Sequence, residues 1–159
     1  VNERVISTDS AEATARLGRR LAALLAAGDT LLLHGDLGAG KTTLAQGILA
    51  ALRPGTPATS PTFTLINEYA AGNADQPPVH HLDLYRLDGP DDLDSIGFDD
   101  LVGAGTGILL VEWPERLGDD LPDDYLLVSI EAEGADQRRV TVRAMPGDGR
   151  HARIVSALD

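Results

Sequence analysis

The sequence predicts a single α/β domain with a mainly parallel central sheet flanked by helices and a C-terminal antiparallel hairpin. Three observations carry this. The runs Thr30–Leu33 and Ile108–Val111 are apolar without alternation, as strands buried on both faces are. Helical patterns and polar loops lie between strand candidates, the alternation that a parallel sheet requires. Near the end, Tyr125–Glu131 and Arg138–Ala144 are separated by Gly134 and its neighbours, which suggests a hairpin. With 159 residues, no internal repeat and no long linker, residues 1–159 are expected to form one domain.

The elements follow in order. Val5 and Ile6 suggest a short first strand. Thr8, Asp9 or Ser10 can cap a helix over about Ala11–Ala26, where Leu17, Leu21, Leu24 and Leu25 recur on one face. Gly28 and Asp29 turn the chain into the first buried strand. Gly35–Gly40 is a tight glycine loop, and Lys41–Leu52 a second helix. Pro54–Pro61 is a Pro/Thr/Ser linker, Thr64–Tyr69 alternates as a strand, and residues 70–78 form a polar loop. Val79–Leu84 is a further strand, and Pro90–Leu101 is acidic and partly helical. The second buried strand ends at Glu112, and Arg150–Leu158 closes the chain as a helix.

Composition excludes several function classes. A formal charge of −12 repels a phosphate backbone, so unaided, non-specific nucleic-acid binding is not expected. The absence of cysteine removes disulfides, thiolate metal sites and cysteine nucleophiles. No apolar run approaches the roughly 20 residues of a membrane-spanning helix. The first nine residues lack the apolar core of a signal peptide, so a cytoplasmic location is expected.

The chemistry starts at Gly35-Asp36-Leu37-Gly38-Ala39-Gly40-Lys41-Thr42, a complete G-x-x-x-x-G-K-[ST] pattern between strand and helix. Its glycines let backbone N–H groups cradle phosphate oxygens at a helix N-terminus. Lys41, the only lysine in the chain, should reach the β- and γ-phosphates, and the Thr42 hydroxyl should coordinate magnesium. The expected fold is therefore that of a P-loop NTPase. A carboxylate near the metal is also needed, at the end of a neighbouring strand. Glu112 and Asp83 are both candidates. Ser60 and Thr62 lie where a switch loop can sense a γ-phosphate, although such a loop also serves as a plain linker. Trp113 is either core or beside the site.

Two signals are discounted. Asp94-Ser95-Ile96-Gly97 matches D-x-x-G but sits in an acidic helical stretch, and the single lysine leaves none for a guanine-reading N-K-x-D. His80 and His81 are adjacent, so in a strand they point to opposite faces and make a poor metal pair; structural or surface roles are expected for both.

Four segments in this order resemble the TsaE family (older name YjeE): His34–Thr43, Ser60–Leu65, His81–Leu87 and Val111–Glu115. The resemblance covers most of Thr8–Arg116. It implies a magnesium-dependent ATPase, slow alone, that works with TsaB and TsaD to form N6-threonylcarbamoyladenosine at position 37 of tRNAs reading codons beginning with A. It implies that Gly38, Ala39, Gly40, Lys41, Thr42 and Thr43 bind ATP or ADP, that Thr42 and Glu112 hold Mg2+, and that Ser60 and Thr62 lie in a switch-like loop. Asp83 and Trp113 are implied in hydrolysis. Thr8–Ser10 and Arg138 or Arg139 are implied around the adenine. With the chain at −12, tRNA contact falls mainly to the partners. A small-molecule kinase is the competing reading, but Thr43–Tyr85 offers only Arg53 as a cation for a lid or acceptor site. A nucleotide-dependent scaffold is the non-enzymatic one.

Overall fold

Strands without a polar face have to be covered on both sides, and here they occupy the middle of the sheet. The computed structural model of the chain describes residues 2–36, 38–54, 66–69, 76–85 and 97–158. Its elements are β1 (Glu3–Thr8), α1 (Ala11–Leu24), β2 (Thr30–His34), α2 (Lys41–Leu52), β3 (Ile66–Tyr69), β4 (Val79–Asp83), α3 (Phe98–Ala104), β5 (Ile108–Glu112), β6 (Tyr125–Ala132), β7 (Arg138–Met145) and α4 (Ala152–Ala157). The strands form one seven-stranded sheet in the order β1-β7-β6-β2-β5-β4-β3. Every residue of β5 is buried, whereas β6 alternates, as one face covered by packing requires.

The sheet is mixed rather than mainly parallel. β6–β2, β2–β5 and β5–β4 pair in parallel; β1–β7, β7–β6 and β4–β3 pair antiparallel. The physical reason lies in the connections. The segment between Tyr69 and Val79 is too short for the helical crossover that parallel strands need. At the other edge β1, longer than Val5 and Ile6 alone suggest, pairs along β7 from Glu3 to Thr8. The expectations for residues 55–65, 70–75 and 86–96 lie outside the described residues.

Helix α1 begins where Ser10 caps it, its hydroxyl accepting from Ala13 N–H at 3.0 Å, an interaction that stabilises by about 1 kcal/mol. It ends at Leu24, two residues short of the expected Ala26, because the Asp29 carboxylate takes the Ala26 N–H at 2.7 Å and turns the chain. Helices α1 and α2 meet at glycines. A Cβ on Gly47 would lie 2.5 Å from the Ala15 carbonyl oxygen, and one on Gly18 2.7 Å from that of Leu44. Leu17, Leu21, Leu44 and Ile48 cover Leu31, Leu33 and Leu110 on one face of the sheet. Leu32, Leu82, Phe98, Val111 and Leu117 form the core of the other.

The start of β2 is tied down by charge. Asp29 is fully buried and pairs with Arg153 at 2.6 Å and Arg150 at 3.2 Å. His151 accepts the Thr30 N–H on Nε2 at 3.0 Å and bonds Asp124 through Nδ1. A buried carboxylate is tolerable only with such partners. Burial would raise the Asp124 carboxyl, but the His151 hydrogen bond and the Arg150 backbone N–H outweigh it and hold it below its usual value. No described helix is long and apolar enough to cross a membrane.

Gly47→Ala should weaken the fold by about 1–3 kcal/mol, since its methyl must displace backbone rather than a flexible side chain. Urea denaturation measures this; an unchanged midpoint would contradict the close helix contact.

Candidate active site

The three central parallel strands stop in one row. Leu33 on β2 and Asp83 on β4 both lie opposite Glu112 on β5, so the chain leaves the sheet at a common edge. Ligands of parallel α/β sheets bind outside this carboxyl edge. The glycine loop starts there. A Cβ on Gly35 would lie 2.6 Å from the Ile130 carbonyl oxygen, so only glycine lets the loop cross β6. Gly38 and Gly40 take φ of 79° and 108°, conformations that favour glycine. Gly40 caps α2 without a side chain, leaving its first N–H groups to an outside acceptor. Such a turn presents N–H groups to an anion.

Lys41, the first residue of α2, points back under this loop. It is only 6% exposed, and its ammonium donates to the Gly35 carbonyl while lying 3.3 Å from the centroid of the Trp113 ring. Burial lowers its pKa, against the pull of Glu112, Glu115, Asp83 and Asp36. Trp113 takes φ 61°, the only described residue other than glycine at positive φ. That backbone costs about 1–2 kcal/mol in an L-residue. A cation–π contact of about 2 kcal/mol when desolvated is of the same size, and Tyr85 adds a ring contact at 4.9 Å. The turn is thereby held where the ring covers the lysine.

Glu112 is 3% exposed, and its Oε2 lies 2.7 Å from His81 Nε2, itself almost fully buried. Asp83 is half-buried and accepts the Tyr85 N–H at 3.0 Å. Burial, reinforced by the charge of Glu112, raises the Asp83 carboxyl above its ordinary value; the Tyr85 N–H, His81 and Lys41 oppose this without cancelling it.

On the far side of the loop, Arg138 donates from Nε to the Ala39 carbonyl at 2.8 Å. Thr8 lies opposite Arg138 in the β1–β7 register. Both line a cleft of about 390 Å³ with Ser7, Asp9, Ala13, Glu133 and Gln137. Thr42 is exposed and Thr43 partly so, at the start of α2. The structure thus gathers Lys41, Asp83, Glu112 and Trp113 at one place, with Thr8 and Arg138 across the loop. Ser60 and Thr62 lie outside the described residues.

Magnesium prefers one or two carboxylates completed by phosphate and water oxygens to an all-protein cage. Among the described residues no three His, Cys, Asp or Glu side chains gather as a metal site. Glu112 and Asp83, opposite one another at the ends of β5 and β4, offer the one or two carboxylates of that sparser arrangement.

Residues 8–140 match the family described as Threonylcarbamoyl adenosine biosynthesis protein TsaE. The chain belongs to the TsaE family. It is 38% identical to the tRNA threonylcarbamoyladenosine biosynthesis protein TsaE of Bacillus subtilis, over 87% of this chain and 84% of that one. It is 43% identical to the protein of the same name from Nostoc sp., over 82% of this chain and 80% of that one. Among solved structures, that of Bacillus subtilis YdiB superposes with a TM-score of 0.76 at 34% identity, covering 99% of this chain and 95% of that one.

Sequence reasoning gave His81 a structural or surface role without locating its contact with Glu112, and did not single out the contact of Tyr85 with Trp113. The available signal was parity: His81 and Asp83 are two apart on β4 and so share a face. Which carboxylate faces that side depends on the register with β5.

Because its folded-state pKa is raised, ionised Asp83 destabilises the folded chain at neutral pH, and the penalty disappears as pH falls below the unfolded value of 3.8. Asp83→Asn should therefore be more stable than the parent at pH 7, with the difference shrinking toward pH 4. Denaturation midpoints across this range check it; a less stable variant at pH 7 would contradict the assignment.

Proposed function

We propose that this chain is the magnesium-dependent, ATP-binding and ATP-hydrolysing subunit of the machinery that forms N6-threonylcarbamoyladenosine at position 37 of tRNAs reading codons beginning with A. The observation that carries the reading is the position of Lys41: the chain's only lysine, nearly buried beneath the glycine loop and facing Glu112 and Asp83. Family membership supplies the biosynthetic context.

In this reading the loop N–H groups and Lys41 bind the β- and γ-phosphates of ATP. The ammonium exchanges the Gly35 carbonyl and the Trp113 ring for phosphate oxygens, a stronger charge-assisted contact. Thr42 and Glu112 hold Mg2+, which when bound neutralises phosphate charge. Asp83 stands beside the phosphates at the strand end. Thr8 and Arg138 line the cleft that receives the adenine, and Ser60 and Thr62 belong to a γ-phosphate-sensing loop. Trp113 keeps water from the lysine until nucleotide enters. TsaB and TsaD are the partners and provide the tRNA contact, consistent with a charge of −12 on this chain. A cytoplasmic location goes with that role.

The kinase reading is disfavoured by Arg53. This cation is buried and donates to the carbonyls of Leu52 and Pro77, so it serves the fold rather than an acceptor site.

Lys41→Ala should lower ATP hydrolysis about a hundredfold or more, since it removes the charge facing the transferring phosphate. Steady-state phosphate release by the purified chain, alone and with TsaB, TsaD and tRNA, tests the whole reading. Turnover should rise with the partners and vanish in Lys41→Ala. Undiminished turnover in the folded variant would overturn the site; phosphate transfer to an added small acceptor would favour a kinase.

A further inference from the structure

The least expected contact at the strand ends is the one between His81 and Glu112. Both side chains are almost completely removed from solvent, at 2% and 3% exposure. They lie on neighbouring parallel strands, with Nε2 and Oε2 at 2.7 Å. A carboxylate oxygen only accepts, so the imidazole nitrogen facing it carries the hydrogen. The other nitrogen, Nδ1, is buried with no hydrogen-bond partner among the described residues. The hydrogen on Nε2 thus lies in the bond to Glu112. Glu112 is left with one oxygen held and one for another ligand.

We propose that His81 is a positioning residue for the metal-binding carboxylate: its Nε2–H locks Glu112 in the orientation that receives Mg2+. This rests on the nucleotide-binding reading above, and it gives β4 two roles at the site, through Asp83 at the strand end and His81 one step behind on the same face. Without the lock, a carboxylate freed at Oε2 has several rotamers to choose from, and holding a metal must select one of them. Outer partners of this kind raise metal affinity by about 10–100-fold.

The test compares side chains that keep or lose the donor at the Nε2 position. The amide nitrogen of glutamine reaches that position; that of asparagine stops short, near Nδ1. The chain and its H81Q and H81N variants are titrated with Mg2+ in the presence of adenylyl imidodiphosphate, a non-hydrolysable ATP analogue, and binding is read by calorimetry. H81N should need about tenfold more Mg2+ for half-saturation, and H81Q should stay within about threefold of the parent. Affinity for the analogue in EDTA should be the same in all three, because the loop and Lys41 are untouched. H81L replaces H81N in the comparison should H81N not fold. An H81N titration superimposable on the parent's, or an H81Q variant as impaired as H81N, overturns the positioning role alone. A parent chain whose affinity for the analogue is the same in Mg2+ as in EDTA overturns the magnesium dependence of the proposed function and this role with it.

Discussion

A buried ammonium group needs its counter-charges close at hand, and the carboxyl edge of this sheet is organised round one such group. Lys41 lies beneath the glycine loop with 6% of its surface exposed, against the face of Trp113 and the carbonyl of Gly35. Burial alone would favour the neutral amine. Glu112, Glu115, Asp83 and Asp36 pull the other way. These carboxylates come from three different places in the chain, and only the parallel register of β2, β4 and β5 brings them to one ammonium. The strained turn at Trp113 follows from the same need, since it folds the ring over the lysine directly after β5 ends.

The two ends of β2 show how differently one sheet can treat charge. At its start, Asp29 is enclosed by Arg150, Arg153 and the backbone of Ala26, while His151 links the Thr30 N–H to Asp124. Every charge there has a close partner, and the result is a closed clasp between the sheet and α4. At its other end, acidic groups gather around a single lysine, and burial and Glu112 hold Asp83 above its ordinary pKa. Such an imbalance weakens a fold and persists where a ligand is to supply the missing charge. A cation bound among these oxygens would relieve it.

Local pattern was enough for much of this. The two buried strands, the glycine loop and helix α2 were legible because each is specified by neighbouring residues. Glu112 and Asp83 were legible as acidic residues closing apolar strands. Thr8 and Arg138 came only through resemblance, since nothing local marks them; the pairing of β1 with β7 sets them side by side. The mixed character of the sheet was not legible, because it depends on which edge a strand joins. Nor was the contact of His81 with Glu112, for a histidine in a strand reads alike whether it faces leucine or glutamate. The positive φ of Trp113 carries no sequence signal at all, as tryptophan is not a residue that favours it.

Trp113 is the only tryptophan, and its ring lies against the very group that is held to bind phosphate. Its fluorescence during a titration with MgATP is therefore the most direct test. If phosphate draws the Lys41 ammonium away, emission should change saturably with ATP, and the change should be absent in Lys41→Ala. Emission that stays constant while calorimetry records ATP binding would mean that the nucleotide phosphates do not meet Lys41, and would contradict the site at its centre.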